Sequence, residues 1–224
     1  MRVLRFLPLA LLLSIPLFAQ TTTPAAQRDP QAVALMESAI TKMGGATAIS
    51  QHQSWTFQVQ MQGPLNNGTV TETLNTNPSM TVNGKTVTHP LIVSPFVPAL
   101  VARLLSEIVG DASTSVTYKG TVSVGSKSAT AIALSDPRSS TILQTWYFDS
   151  TTGLPMHVEL ASEVQVGLFK SFPGGVDFSD YRTVSGVLYP FQIVERIEGR
   201  PFVQTITVQS VTPTANPVPP AVTP

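Results

Sequence analysis

The stretch Gln144–Leu160, QTWYFDSTTGLPMHVEL, predicts a β-hairpin and shows what the fold is built from. Trp146 and Phe148 alternate with polar neighbours, as on a strand with one buried face. Asp149–Gly153 follows with turn-forming residues and a glycine that can adopt positive φ. The pattern therefore predicts two antiparallel strands joined by a short loop.

The register of this hairpin follows from burial. A five-residue loop pairs Phe148 with Leu154 and Trp146 with Met156, which places apolar residues on one face. A register shifted by one residue would place His157 opposite Trp146. We predict the five-residue loop, since a slip of one residue exchanges the two faces of a strand.

Residues 1–19 have the features of a signal peptide. Arg2 and Arg5 precede the apolar run Phe6–Phe18, and Ala19 is a small residue suited to cleavage. A membrane anchor is the competing interpretation, but the run is shorter than the ~20 apolar residues of a spanning helix and contains two prolines. The chain has no cysteine for lipid attachment. We predict a cleaved, periplasmic or secreted protein.

The composition limits the class of partner. Charged residues make up 12% of the chain, about half of the ~25% in an ordinary soluble domain. Loss of the signal peptide would leave 11 basic and 13 acidic residues, with no basic cluster. This balance argues against a nucleic-acid partner.

The rest of the chain predicts one domain over residues 29–211. A linker without periodicity covers 20–28, and a Pro-rich tail covers 212–224. Asp29-Pro30 predicts the start of a helix, with Asp29 as N-cap and Pro30 in the first turn. Gly44-Gly45 predicts its end. The apolar residues of this helix recur at helical spacing: Val33, Met36, Ile40 and Met43.

From Ser54 onward the apolar period changes to two, which is typical of half-buried strands. About ten short strands follow, mostly in successive hairpins, and these predict an antiparallel sheet. Pro190 falls inside one strand, so we expect it at an edge or a bulge.

One segment differs from the strands around it. Leu91–Gly110 predicts an apolar helix over Phe96–Val109, whose apolar arc of roughly 220° exceeds the ~100° stripe of a surface helix. Such a helix must bury two sides, or bury one side and expose the other. The predicted fold class is therefore α+β.

Motifs for catalysis or metal binding are missing from the sequence. His52, His89 and His157 lie far apart and share no metal-ligand spacing, and no hydrolase or phosphate-loop motif occurs. We predict a non-enzymatic protein with no catalytic residues, no metal site and no cofactor.

Three segments resemble a known family. A helix ending in Met-Gly-Gly runs into SWTFQVQMQG, and the segments WYFDSTTGLPMHVEL and VDFSDYRTVSGVLYPFQIV follow. These motifs resemble the bacterial periplasmic superfamily that contains the lipoprotein carrier LolA, the receptor LolB and the sensor domain of RseB. The resemblance covers most of Pro30–Val211.

The resemblance implies an incomplete β-barrel: a strongly curved antiparallel sheet whose concave face is covered by helices and holds acyl chains or other apolar ligands. This chain differs from the carriers of the family in how the lid would be held. The carriers of this family use an arginine on an early strand to hold the lid, whereas here no arginine occurs between Arg28 and Arg103.

These observations predict a periplasmic carrier or binding protein for a lipid or lipoprotein acyl group, held under a helical lid without covalent chemistry. An envelope protein that donates or receives the lipid is a further expected partner, and we expect a monomer. The alternative is an envelope sensor or adaptor that binds a protein partner through the same fold. The predicted cavity residues come from three segments: Trp55, Phe57, Val59, Met61; Phe96, Leu100, Leu104, Ile108; and Trp146, Phe148, Met156.

Overall fold

The computed structural model describes residues 25–64, 67–75, 79–82, 85–88, 100–135, 137, 142–161, 164–166, 169–171, 174–199 and 203–215. The predicted signal peptide lies outside these ranges. In the part of the chain so described, no helix is long and apolar enough to cross a membrane.

The described residues form three helices, which precede or interrupt the strands: α1 (Pro30–Lys42), α2 (Gly45–Ser50) and α3 (Leu100–Gly110). The predicted start of α1 is confirmed, because the Asp29 carboxylate accepts a hydrogen bond of 2.8 Å from the amide of Gln31. The predicted end is also confirmed, and Gly44 has a φ of 116°. The apolar side of α1 packs inward.

The structure has thirteen described strands, against the ten or so expected: β1 (His52–Gln62), β2 (Gly68–Asn75), β3 (Ser79–Val82), β4 (Lys85–Thr88), β5 (Ser115–Val124), β6 (Lys127–Ser135), β7 (Ile142–Asp149), β8 (Pro155–Leu160), β9 (Val164–Val166), β10 (Phe169–Ser171), β11 (Gly174–Val184), β12 (Val187–Ile197) and β13 (Val203–Ala215). Four of the thirteen are short: β3 and β4 have four residues each, and β9 and β10 have three each.

Eleven of these strands form one antiparallel sheet in the order β4-β3-β2-β1-β13-β12-β11-β8-β7-β6-β5. Within the described residues the end strands β4 and β5 do not pair with each other, so the sheet stays open. The helices form a layer in which α1 contacts α3 and β5, and α2 contacts β1 and β12. The predicted α+β incomplete barrel with a helical cover is confirmed.

Aromatic contacts on the helix-covered face reveal its concave shape. The Trp146 and Phe178 rings of β7 and β11 are stacked with centroids 6.5 Å apart, although β8 lies between them. Phe57 of β1 and Tyr189 of β12 also meet, edge to face, above β13 with their ring centroids 6.3 Å apart. Strands two apart are separated by about 9.5 Å. The side chains therefore lean toward each other above the intervening strand, as a curved sheet allows.

The predicted register of the β7–β8 hairpin is wrong. Trp146 pairs with Val158 and Phe148 with Pro155, and a register shift between Tyr147 and Phe148 leaves Met156 as the additional residue of a β-bulge. The bulge brings Val158 rather than Met156 opposite Trp146, so that both members of the pair are buried.

The loop of this hairpin is nevertheless stabilised as its residues predict. Gly153 has a φ of 71°, and its amide donates to the carbonyl of Asp149 at 2.7 Å. The Asp149 carboxylate accepts hydrogen bonds from the amides of Thr151 and Thr152. These bonds to the charged form lower the pKa of Asp149.

Backbone pairing also occurs on both sides of residues 29–211. The amide of Asp29 donates to the carbonyl of Val116, and the amide of Val116 donates to the carbonyl of Gln27, so residues before α1 cover part of the edge of β5. At the other end, β13 remains paired with β1 as far as Ala215. Pro190 of β12 pairs with Tyr181 of β11, at a point where the ladder between β12 and β13 has ended.

Candidate ligand-binding site

The concave face begins with the inward side of β1. Trp55, Phe57, Val59 and Met61 occupy alternate positions of this strand, and all four are buried. Apolar residues of the next strands continue the surface, since Met61 pairs with Ile206 of β13 and Ile206 pairs with Ile193 of β12. The four predicted residues of β1 therefore share one continuous apolar surface.

Trp146 and Phe148 lie on the inward side of β7 and are also buried. Trp146 packs on Phe178 and pairs with Ile132 and Val158 of the flanking strands. Met156 is half-buried at the bulge and does not form a pair with Trp146. This part of the predicted site is thus assembled from β6, β7, β8 and β11.

The predicted residues of the apolar helix are described in part. Ile108 is buried and Leu104 half-buried. Leu100 is the first residue of α3, but its side chain lies outside the description, and Phe96 is outside the described residues altogether. The buried stripe of α3 also contains Val101, Ala102 and Leu105, and the helix contacts α1, α2 and β12.

Tyr189 is a member of this surface that sequence reasoning missed. Its hydroxyl accepts a hydrogen bond of 2.9 Å from the indole nitrogen of Trp55. Burial raises the pKa of Tyr189 to about 12, opposed by the bond from Trp55. Alternation with the apolar residues Val187 and Phe191 was a signal that could have placed Tyr189 on the inward face.

His52 is the second residue that the sequence did not single out for the site. It is 9% exposed at the start of β1, and its ring meets the Trp55 ring edge-on at 6.2 Å. Neither ring nitrogen has a hydrogen-bond partner among the described residues. The concave face therefore contains a small polar region formed by His52, Trp55 and Tyr189.

Arg28 fixes the end of α3. Its guanidinium donates to the carbonyl of Ile108 at 3.0 Å, to that of Val109 at 2.8 Å and to that of Asp111. These carbonyls have no partners within the helix, and a cation is favourable at a helix C-terminus. An arginine thus holds the apolar helix, although it lies before α1 and not on an early strand.

A separate polar network lies on the opposite face of the sheet. His157 Nδ1 lies 2.7 Å from Asp177 Oδ1, and Arg196 pairs with the other oxygen of Asp177. Burial lowers the pKa of His157. The Tyr147 hydroxyl donates to Glu159. In the described part of the chain, no group of three or more His, Cys, Asp or Glu residues could hold a metal ion.

No protein-family model matches the chain, and no curated protein matches its sequence. The similar solved structures include a LolA superfamily protein from Nitrosomonas europaea, 10% identical, with 83% of this chain and 94% of that chain covered and a TM-score of 0.47. A domain from Vibrio parahaemolyticus, provisionally assigned as an outer membrane lipoprotein-sorting protein, is 8% identical, with 82% and 92% covered and a TM-score of 0.47.

A DUF1329 family protein from Desulfovibrio piger is also similar. It is 10% identical, with 80% of this chain and 92% of that chain covered and a TM-score of 0.43. These likenesses are distant and carry no information about a ligand or an activity. The architecture itself, an open antiparallel sheet with helices on its concave face, is the incomplete barrel that the sequence motifs predict.

Proposed function

We propose that the protein is a periplasmic, non-enzymatic carrier or binding protein for a lipid or for the acyl group of a lipoprotein. The ligand would lie between the concave face of the sheet and α3. Burial of apolar carbon at ~0.8 kcal/mol for each methylene would supply the affinity. The proposed contacts are the residues predicted from the sequence, together with Tyr189 and Ile206.

The observation that supports this proposal is the distribution of apolar residues on α3. Val101, Leu105 and Ile108 are buried, whereas the neighbouring Leu104 and Val109 are only half-buried. The helix thus exposes part of its apolar surface instead of burying all of it. Contact between this exposed apolar part and a lipid would bury more apolar surface.

Leu104 provides a direct test. We expect Leu104→Ser to weaken the binding of a fluorescent fatty-acid probe by roughly five- to tenfold, because about half of a leucine side chain's burial is lost. Val203→Ser is the matched control, since Val203 is an exposed apolar residue at the start of β13. Probe affinity should be unchanged in this control.

Mass spectrometry of the protein purified from its own envelope tests the same proposal without a chosen ligand. A co-purified lipid supports it. If the protein carries no lipid and wild-type protein binds no probe, the proposal is wrong. A stable complex with an envelope protein, without lipid, would favour the sensor or adaptor alternative.

A further inference from the structure

The state of His52 is unusual for a buried polar side chain. A neutral imidazole carries one hydrogen-bond donor and one acceptor. Both ring nitrogens of His52 are buried, and neither meets a partner in the described part of the chain. Buried polar side chains in native proteins are almost always hydrogen-bonded, since an unmade bond costs free energy. This histidine therefore destabilises the protein unless something else pairs with it.

A second unused donor lies on the other side of Trp55. The Tyr189 hydroxyl accepts from the Trp55 indole at 2.9 Å, and its own hydrogen has no acceptor within the described residues. The two unused groups are connected through Trp55, which contacts the His52 ring edge-on. Together they offer two donors and one acceptor on an otherwise apolar surface.

The polar region lies at one end of an apolar path. Phe57, Val59 and Met61 continue from Trp55 along the same face of β1. The rise of a strand places Met61 about 20 Å from Trp55. This length suits a hydrocarbon chain that lies along the strand with its polar end at His52.

We propose that His52 and Tyr189 bind the carbonyl or carboxyl oxygen of a single-chain lipid whose hydrocarbon tail follows β1 toward Met61. This inference rests on the proposed lipid-binding function and adds a headgroup to it. The two donors suit an oxygen acceptor. A protonated carboxyl group can instead accept from the Tyr189 hydroxyl through its carbonyl oxygen and donate its own hydroxyl to the acceptor nitrogen of His52. An ester carbonyl would use the donors alone.

Competition binding on the purified mature protein tests the headgroup. The competitors are dodecanoic acid, methyl dodecanoate and dodecane, which share a chain length and differ in the polar end, and they displace the headless probe diphenylhexatriene. Wild-type protein should bind at least one of the two oxygen-containing lipids ten or more times more tightly than dodecane. Tight binding of the acid alone indicates a free fatty acid, and tight binding of the ester indicates an esterified acyl group.

His52→Leu should change stability and binding in opposite directions. Without lipid, its urea midpoint should rise, because an unpaired polar group is removed. Its affinity for the preferred oxygen-containing lipid should fall at least fivefold, with dodecane affinity within twofold of wild type. If His52→Leu does not fold, Tyr189→Phe takes its place as the test variant and should lose the headgroup preference. His157→Leu is the control, because His157 already has a partner in Asp177 and should keep the preference.

Two results would overturn the inference and leave the proposed function standing: equal affinity of wild-type protein for all three lipids, or unchanged preference in both His52→Leu and Tyr189→Phe. A fall in the urea midpoint of lipid-free His52→Leu would also contradict it, since His52 would then be stabilising. Failure of wild-type protein to bind the probe or any of the three lipids would overturn both proposals.

Discussion

Gly44 and Gly45 are adjacent at the end of α1, but the tertiary structure constrains them differently. Both have positive φ, 116° and 81°. A Cβ at Gly44 would overlap the carbonyl oxygen of Gly186 in the turn between β11 and β12, whereas a Cβ at Gly45 meets no described atom within 4 Å. The amide of Leu188 also donates to the carbonyl of Met43 here. The close approach at Gly44 therefore fixes α1 against the β11–β12 turn.

We predict that Gly44→Ala and Gly45→Ala differ in their effect on the free energy of unfolding. Gly45→Ala should cost about 1–2 kcal/mol, the strain of a left-handed residue with a Cβ. Gly44→Ala should cost about 3 kcal/mol or more, because a backbone clash adds to that strain. Urea denaturation measures both values. Equal losses would show that α1 does not depend on contact with Gly186.

At the scale of elements, α3 depends on a segment that is distant in sequence. Arg28 and Ile108 are 80 residues apart, and their hydrogen bond joins the segment before α1 to the end of α3. The same segment pairs with β5 through Asp29 and Val116. The position of the apolar helix on the sheet is therefore coupled to the N-terminal residues of the domain.

We expect Arg28→Ala to loosen α3 more than the rest of the fold. The loss should be about 1–2 kcal/mol, since the last carbonyls of the helix lose a cationic partner. Relative to the wild-type protein, the rate of hydrogen–deuterium exchange should then increase more in α3 than in α1. Arg28→Lys should preserve part of the protection, because an ammonium keeps the charge without the planar fork of donors.

Arg182→Ala is the control for Arg28. Arg182 is exposed on β11 and pairs with Asp180, and an exposed pair contributes little to stability. Exchange in α3 should remain at the wild-type rate. If Arg28→Ala also leaves exchange in α3 unchanged, Arg28 does not hold the helix.

At the scale of the whole molecule, one apolar surface joins the two halves of the sheet. Trp55 on β1 and Trp146 on β7 are both buried in it, on opposite sides of β13, β12, β11 and β8. The pairs Met61–Ile206, Ile206–Ile193 and Ile193–Phe178 connect β1 to β11. A core that is continuous in this way favours cooperative unfolding.

We predict that each tryptophan reports the same unfolding transition. In the variant Trp146→Phe only Trp55 emits, and in Trp55→Phe only Trp146 emits. Within each variant, the fluorescence midpoint in urea should coincide with the midpoint from far-ultraviolet circular dichroism. Different midpoints for the two signals in one variant would show that the halves of the sheet unfold separately.

Local patterns were sufficient to predict most elements and much of the apolar face. Asp29 and Gly44 mark the ends of α1 through capping and positive φ, which depend on neighbouring residues alone. Trp55 and Phe57 alternate on β1 because side chains on a strand alternate between faces. The register at Trp146 was not predictable in this way, because the bulge at Met156 forms where the curved sheet can bury Val158.

The sequence by itself determined which residues form helices and strands and which side of each is apolar, since periods of 3.6 and 2 residues are local properties. Tertiary structure alone decided that Arg28 binds the end of α3, and that His52 is buried beside Trp55 with no partner among the described residues. These features depend on distances between residues far apart in the chain. Folding sets those distances when the sheet curves and the helices pack on it, so they cannot be predicted from a local sequence pattern.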